Sequence, residues 1–171
     1  MGEKIRLTLF TLFLTFIALI VQSTVFSLFS IGGVRPDLSL IVLVFISYKK
    51  GQMVGQITGF FTGFIEDIIS LTPLGFHSLI KALLGFLYGY IQGRIIIDMV
   101  FIPILFVTIA TIIKLLTAWF ISIIITIPEV QISFFHLNTF IEILYNAFTA
   151  PFIFALLKLF KTFKVGEKEI I

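Results

Sequence analysis

Long apolar stretches separated by short polar breaks follow one another along the whole chain. No charged residue occurs between Leu7 and Val34 or between Met99 and Ile113. About 18 uncharged, mainly apolar residues are enough to indicate a membrane-spanning helix. The breaks, rich in Gly, Pro, Lys and Arg, therefore predict six helices, at residues 5–30, 36–49, 52–71, 74–93, 98–127 and 137–160.

Length distinguishes these six segments. At 1.5 Å per residue, the first, fifth and sixth comfortably cross a hydrocarbon core of about 30 Å. The third and fourth do so only if Glu66, Asp67 and Lys81 lie within or near the membrane. The second, about 14 residues long, is short, so we expect it to thin the bilayer or to rely on snorkelling of Lys49 and Lys50.

Composition supports a membrane protein with essentially no soluble part. Of the 171 residues, 59% are hydrophobic and only 12% are charged, which leaves too little polar surface to cover a soluble globule. The mean hydropathy of +1.18 agrees. We therefore predict a single all-α, polytopic membrane domain over residues 1–171. The absence of cysteine excludes disulfides, thiolate metal sites and a cysteine nucleophile.

The basic residues predict how the chain is oriented in the membrane. With a cytoplasmic N-terminus, only Arg35 falls in an outer loop. The predicted inner segments then carry nine basic residues, Lys4, Arg6, Lys49, Lys50, Arg94, Lys158, Lys161, Lys164 and Lys168. The positive-inside rule thus places both termini in the cytoplasm. The lysines of the tail are suited to contact anionic lipids, although a simple stop-transfer anchor explains them equally well.

Two glycine series with a four-residue spacing lie on either side of the turn Thr72-Pro73-Leu74-Gly75. In an apolar helix such a series lets another backbone approach closely, with a right-handed crossing near about −40°. Because a four-residue step drifts around the helix, two or three glycines per helix should make contact. We predict two antiparallel helices packed through these glycines. The series are Gly51, Gly55, Gly59, Gly63 and Asp67, then His77, Lys81, Gly85, Gly89 and Gly93.

Ionisable residues within membrane segments are candidates for functional sites. Asp67 lies about 24 Å along its helix from the inner face, and Lys81 about 20 Å along the next. Their similar depths predict an Asp67–Lys81 ion pair near the outer face. His77 also donates to Asp67, and Glu66 lies nearby.

The same depth argument predicts a second pair between Lys114 and Glu142, each about 22–24 Å from the inner face. Asn138, Glu142 and Asn146 follow a four-residue spacing, so this polar stripe should face the bundle interior. We favour structural packing for these groups. The alternatives are that these groups form a ligand-binding or transport pathway, or that they contact a partner helix directly.

The sequence gives little support to catalysis or to a cofactor. Glu66 and Asp67 are neighbours, so in a helix they point about 100° apart and do not form a facing carboxylate pair. Metal-ligand spacing and a phosphate-binding loop are also missing from the sequence. The glycine series lack the preceding strand of a nucleotide fingerprint. We predict no enzyme activity, no cofactor, no metal and no nucleic-acid partner.

At these residues the chain resembles the family of the rod shape-determining protein MreD. The resemblance rests on the order and spacing of short motifs, and its specific part extends from Pro36 to Arg94. The motifs are Pro36-Asp37-Leu38, Lys50-Gly51, Gly55, Gly59, Gly63, Asp67, Thr72-Pro73-Leu74-Gly75, Gly85, Gly89, Arg94, Asn146 and Ala150-Pro151.

This resemblance implies a non-enzymatic, multi-pass protein of the bacterial cytoplasmic membrane. It would bind MreC, and would act indirectly with MreB, a RodA-type glycosyltransferase and its penicillin-binding partner, to direct lateral peptidoglycan synthesis and cell shape. The implied fold is a six-transmembrane-helix bundle similar to the substrate-binding components of energy-coupling-factor transporters. The alternative function is therefore that of a vitamin-binding transporter component.

Overall fold

Six helices make up the computed structural model, which describes residues 2–25, 30–70, 72–95, 100–125 and 137–160. These ranges contain no β-strand, so the all-α fold predicted from the sequence is confirmed. The helices are α1 (Gly2–Thr24), α2 (Leu38–Lys50), α3 (Gln52–Ser70), α4 (Phe76–Tyr90), α5 (Phe101–Ile125) and α6 (Leu137–Lys158).

Each helix lies where the apolar pattern predicted it, with differences at the ends. The predicted segment 74–93 is shortened to Phe76–Tyr90. Gly75, directly before α4, has φ +102°, and Gly93, three residues after its end, has φ +70°; a right-handed helix does not continue through either conformation. The first helix ends at Thr24 rather than at residue 30. Residues 26–29 of the predicted first segment, 71 of the third, and 98, 99, 126 and 127 of the fifth lie outside the described residues.

The short helix α2 is the centre of the bundle. Every residue from Leu38 to Tyr48 is buried, and α2 contacts each of the five other helices. A helix surrounded on all sides must be apolar all round, which explains its sequence. Neighbouring helices thus surround the side chains of α2, and the expected thinning of the bilayer or snorkelling of Lys49 and Lys50 stays a prediction.

Among the described residues, three helices are long and apolar enough to span a membrane by themselves, over Ile5–Thr24, Phe101–Ile124 and Leu137–Lys158. They expose large apolar side chains such as Phe13, Phe120 and Phe148. An apolar outer surface of this kind is suited to lipid. Helices α2 and α4, with 13 and 15 residues, are shorter than an ordinary span. The six-span arrangement and its orientation thus stay predictions.

Candidate functional site

Helices α3 and α4 approach each other backbone to backbone through glycines. A Cβ atom added at Gly59 or Gly63 would lie closer than 3.0 Å to main-chain atoms of Lys81 or His77. An added Cβ at Gly55 would lie 2.5 Å from the carbonyl oxygen of Gly85. Gly85 and Gly89 meet the backbone of α3 in the same way. Five of the predicted packing glycines therefore lie in this contact.

The two outermost glycines of the series differ: Gly93 lies outside the helix contact, whereas the backbone of Gly51 lies 2.6 Å from a Cβ added at Gly89. Gly93 lies beyond the end of α4, and an added Cβ there would meet nothing within 4 Å. Its assignment to helix packing was wrong, because its φ of +70° already places it in a turn. Gly51 has φ +87° and follows α2, where its N–H donates to the Ser47 carbonyl at 2.9 Å.

Exposed Arg94 places its guanidinium 4.5 Å from the centre of the Tyr90 ring.

Asp67, near the end of α3, caps the beginning of α4. Its carboxylate accepts hydrogen bonds from the backbone N–H groups of Gly75 at 2.9 Å and His77 at 2.7 Å. The Ser78 hydroxyl donates to it at 2.9 Å, and Nδ1 of His77 lies 2.9 Å away. The first N–H groups of a helix have no partner within it, and they favour a negative charge. Asp67 therefore stabilises the turn, together with the Pro73 carbonyl, which accepts from Phe76 at 3.1 Å.

Lys81 does not pair with Asp67, contrary to the sequence prediction. Its ammonium group contacts the carboxylate of Glu66 and donates to the Ser39 hydroxyl. It lies 3.8 Å from Oδ1 of Asp37. Residue counts gave the correct depth of Lys81 along its helix, but they did not indicate in which direction around the helix axis its side chain points. Glu66 and Asp67 point about 100° apart, so only one of them can face the Lys81 ammonium.

Asp37 joins both buried lysines. It caps α2 by accepting from the Leu40 N–H at 3.0 Å, and it accepts from the Ser39 hydroxyl at 2.8 Å. Its second oxygen lies 2.7 Å from the ammonium of Lys114. The side chain is only 4% exposed. Sequence reasoning singled out Asp37 with Pro36 only as a motif, although a carboxylate directly before a buried helix indicates a cap.

Lys114 of α5 joins Asp37 to α6. Its ammonium lies 2.8 Å from the Glu142 carboxylate, so the structure brings this predicted pair together. Asn146 is fully buried, and its side chain accepts from the Asp37 N–H at 2.7 Å and donates to Thr111 at 3.1 Å. Asn138, by contrast, is exposed, so only part of the predicted polar stripe faces the interior.

Together these five charged side chains form a continuous chain of alternating sign, which we call the charge network: Glu66, Lys81, Asp37, Lys114 and Glu142. The network connects α3, α4, the beginning of α2, α5 and α6. Helix α1 joins it through Gln22, whose side-chain oxygen accepts from the Ser39 N–H at 3.2 Å. Buried charges are stable only when paired and hydrogen-bonded, so the network also fixes how the six helices fit together.

Two threonine pairs between α1 and α3 escaped the sequence analysis. The hydroxyls of Thr11 and Thr58 lie 3.0 Å apart, and Thr62 donates to Thr15 at 2.9 Å. All four side chains are buried. The signal was present in the sequence, because each helix carries two threonines four residues apart, and hydroxyl groups hydrogen-bond across membrane helices.

Four of the five members of the charge network border an open cavity of about 360 Å³. Asp37, Glu66, Lys114 and Glu142 line it, together with the exposed Arg35. The other lining residues are Leu19, Gln22, Ser23, Val34, Ile69 and Ser70. The cavity therefore combines both signs of charge and contains no aromatic side chain among its lining residues. Within the described ranges, no group of three or more His, Asp or Glu side chains is arranged to hold a metal ion.

These features define a class: a helical membrane protein whose interior charges are largely paired with one another, around a central buried helix and a glycine-packed hairpin. The chain matches the family model of the rod shape-determining protein MreD over residues 3–160. It therefore belongs to the MreD family, as the motifs from Pro36 to Arg94 indicated, and has a role in determining rod shape. No curated protein and no solved structure matches the chain.

Proposed function

We propose that this MreD-family protein is a non-enzymatic scaffold of the bacterial cytoplasmic membrane. It binds MreC and helps to direct lateral peptidoglycan synthesis during cell elongation. MreB, a RodA-type glycosyltransferase and its penicillin-binding partner are indirect partners in this proposal. The family membership supports the role in cell shape, and the proposal adds the partner and the process.

The closed packing of the bundle is the observation that most favours a scaffold. Central helix α2 is buried along almost its whole length, and the buried lysines Lys81 and Lys114 contact carboxylates of the same chain. Charges neutralised in this way hold neighbouring helices together. Such a core is suited to presenting a rigid outer surface to a partner.

The outer surface has the chemistry that a single-span partner needs. Helix α3 exposes Phe60, Phe61 and Phe64, and α6 exposes Phe148 and Phe152. Association of helices within a membrane depends on packing rather than on removal of apolar surface from water. Rigid aromatic ridges therefore offer a transmembrane segment of MreC a shaped surface in place of fluid lipid.

The transporter alternative receives less support. It expects an open cavity lined by polar and aromatic groups, and the polar part of that expectation is met near Lys114 and Glu142. The lining residues include no aromatic side chain, and the charges of the cavity largely pair with one another. Neither the family match nor any solved structure favours a vitamin-binding component.

Co-purification from membranes tests the proposal. The full chain is expressed with full-length MreC, and in parallel with an MreC whose transmembrane segment is replaced by an unrelated single-span helix. We expect the first MreC to co-purify and the second to be lost. Equal recovery of both, or vitamin binding at micromolar concentration without MreC association, would overturn the scaffold proposal.

A further inference from the structure

Two recesses adjoin each other where the turn at residues 31–34 meets α6. The first is the charged cavity of about 360 Å³ described above. The second is a groove of about 400 Å³ with an almost wholly apolar lining. Its lining residues are Ile31, Ile141, Leu144, Tyr145 and Phe148.

The chain connects the two recesses directly. Ile31 and Val34 are joined by two backbone hydrogen bonds of 3.0 Å; Ile31 lines the groove and Val34 lines the cavity. In α6 the consecutive residues Ile141 and Glu142 likewise line the groove and the cavity. The turn between the two recesses has Gly32-Gly33 at its tip, and a Cβ added at Gly33 would meet nothing within 4 Å. A flexible molecule can therefore pass from one recess to the other over this turn.

The charges of the cavity favour a cationic group. The charge network holds three carboxylates but only two ammonium groups, and the third cation at the cavity, Arg35, is exposed and forms no described ion pair with these carboxylates. Glu66 and Glu142, at 13% and 20% exposure, are its most accessible carboxylates. An unbalanced charge at low dielectric is costly. An ammonium group entering the cavity would balance it.

We propose that the cavity and the groove together bind one phospholipid whose head group carries both a phosphate and a primary ammonium. The ammonium lies against Glu66 and Glu142, and the phosphate lies near the exposed Arg35. One acyl chain follows the apolar groove along α6. This site does not depend on the proposed function, although Phe148 both lines the groove and belongs to the aromatic surface proposed for MreC.

Charge and hydrogen bonding distinguish this lipid from its competitors. A phospholipid with a glycerol head group has no ammonium to place against Glu66 and Glu142, and its net negative charge meets a lining of three carboxylates and two cations. A choline head group has the right charge, but its trimethylammonium carries no N–H to donate. The charge-assisted hydrogen bond that choline cannot donate predicts about a tenfold or greater preference for the ethanolamine lipid.

Native mass spectrometry of the purified full chain tests this preference. Detergent micelles contain equal amounts of phosphatidylethanolamine, phosphatidylglycerol and phosphatidylcholine with identical acyl chains. We expect one ethanolamine lipid to be retained per chain, with about tenfold preference. Equal retention of the three, or preferred retention of phosphatidylglycerol, would overturn the proposal. If soluble ethanolamine displaced the bound lipid as effectively as phosphatidylethanolamine does at the same concentration, the role of the groove would be overturned.

Matched variants locate the bound lipid. Leu144→Trp fills the groove and should reduce retention about tenfold, whereas Leu156→Trp, exposed on the same helix outside the groove, should leave it unchanged.

Arg35→Gln should weaken phosphate binding, whereas Arg6→Gln, exposed on α1, should not. Glu142→Gln should lower the preference for ethanolamine over choline head groups. That ratio is read only from folded, monodisperse protein, so loss of stability cannot imitate the effect. An unchanged ratio, or equal effects of both leucine variants, contradicts the proposal.

Discussion

The α3–α4 hairpin and the charge network hold membrane helices together by opposite means. In the hairpin, Gly59 and Gly63 let two backbones touch, and no side chain lies between them. In the network, Lys81 and Lys114 extend long side chains to carboxylates on other elements. The hairpin thus joins two neighbours, whereas the network joins five elements, with α1 attached through Gln22.

We expect the α3–α4 hairpin and the charge network to tolerate substitutions differently. A backbone contact has no adjustable part, so any added atom must separate the helices. An ion pair includes long side chains that can adjust, and Lys114 retains a second carboxylate when one is removed. We therefore expect the glycine hairpin to fail abruptly and the network to weaken in steps.

The largest effect is expected for Gly59→Leu. The new side chain meets main-chain atoms of Lys81 and Ala82 that cannot rotate away. We expect a loss of at least about 4 kcal/mol in the free energy of unfolding, above the usual overpacking range of about 1–3 kcal/mol. Size-exclusion chromatography after detergent extraction measures the folded fraction. Gln56→Leu, exposed three residues earlier, is the control, and a folded Gly59→Leu protein would refute the close contact.

The next largest effect is expected for Lys81→Met. This change leaves Glu66 and Asp37 without the lysine and should cost about 3–5 kcal/mol, as for removal of one partner of a buried ion pair. Thermal unfolding in detergent provides the measurement.

A double substitution then identifies the partner of Lys81. Adding Glu66→Gln to Lys81→Met should restore part of the lost stability, because it removes the carboxylate left unpaired. Adding Asp67→Asn instead should lower stability further. Rescue by Asp67→Asn but not by Glu66→Gln would support the pair predicted from sequence against the one in the structure.

A smaller effect is expected for Asp67→Asn, which removes the charge that accepts from Gly75, His77 and Ser78. We expect a loss of about 2 kcal/mol, in the range for hydrogen bonds to a charged group. His77→Asn should cost less, because the backbone N–H groups still reach Asp67. Chemical denaturation in mixed micelles compares the two, and a larger effect at His77 would argue against the capping role.

The smallest effect is expected for Glu142→Gln. Lys114 keeps its contact with Asp37 at 2.7 Å, and the Glu142 side chain is 20% exposed, so the expected loss is about 1 kcal/mol or less. Lys114→Met should lower the stability clearly more, because Glu142 and Asp37 then both lose their contact with the Lys114 ammonium. The two melting temperatures, measured side by side, test this order. Equal losses would show that Asp37 does not hold Lys114.

Sequence reasoning located the helices and the hairpin better than it located the partners of buried charges. The height of Lys114 and Glu142 along their helices predicted two side chains that the structure does bring together. The same argument paired Lys81 with Asp67, and the structure shows Glu66 instead. Height follows from residue counts, because every residue adds 1.5 Å. Direction around the axis depends on how each helix is rotated against its neighbours.

The central position of α2 could not be inferred from its pattern. A 13-residue apolar helix reads equally well as a short span or as a buried core segment. Only the packing of five other helices around it distinguishes the two. Asp37 was overlooked as the centre of the network for the same reason, since its two lysines come from helices distant in sequence.

The sequence by itself determined the apolar helical class, the glycine spacing of the hairpin and the family, because these depend on local composition and on spacing along the chain. Tertiary structure decided which carboxylate each lysine meets, that Asp67 caps α4, and that α2 lies inside. These outcomes depend on the relative rotation and contact of whole helices. A buried charge pairs with the nearest suitably oriented group, and that group is defined only once the helices are packed.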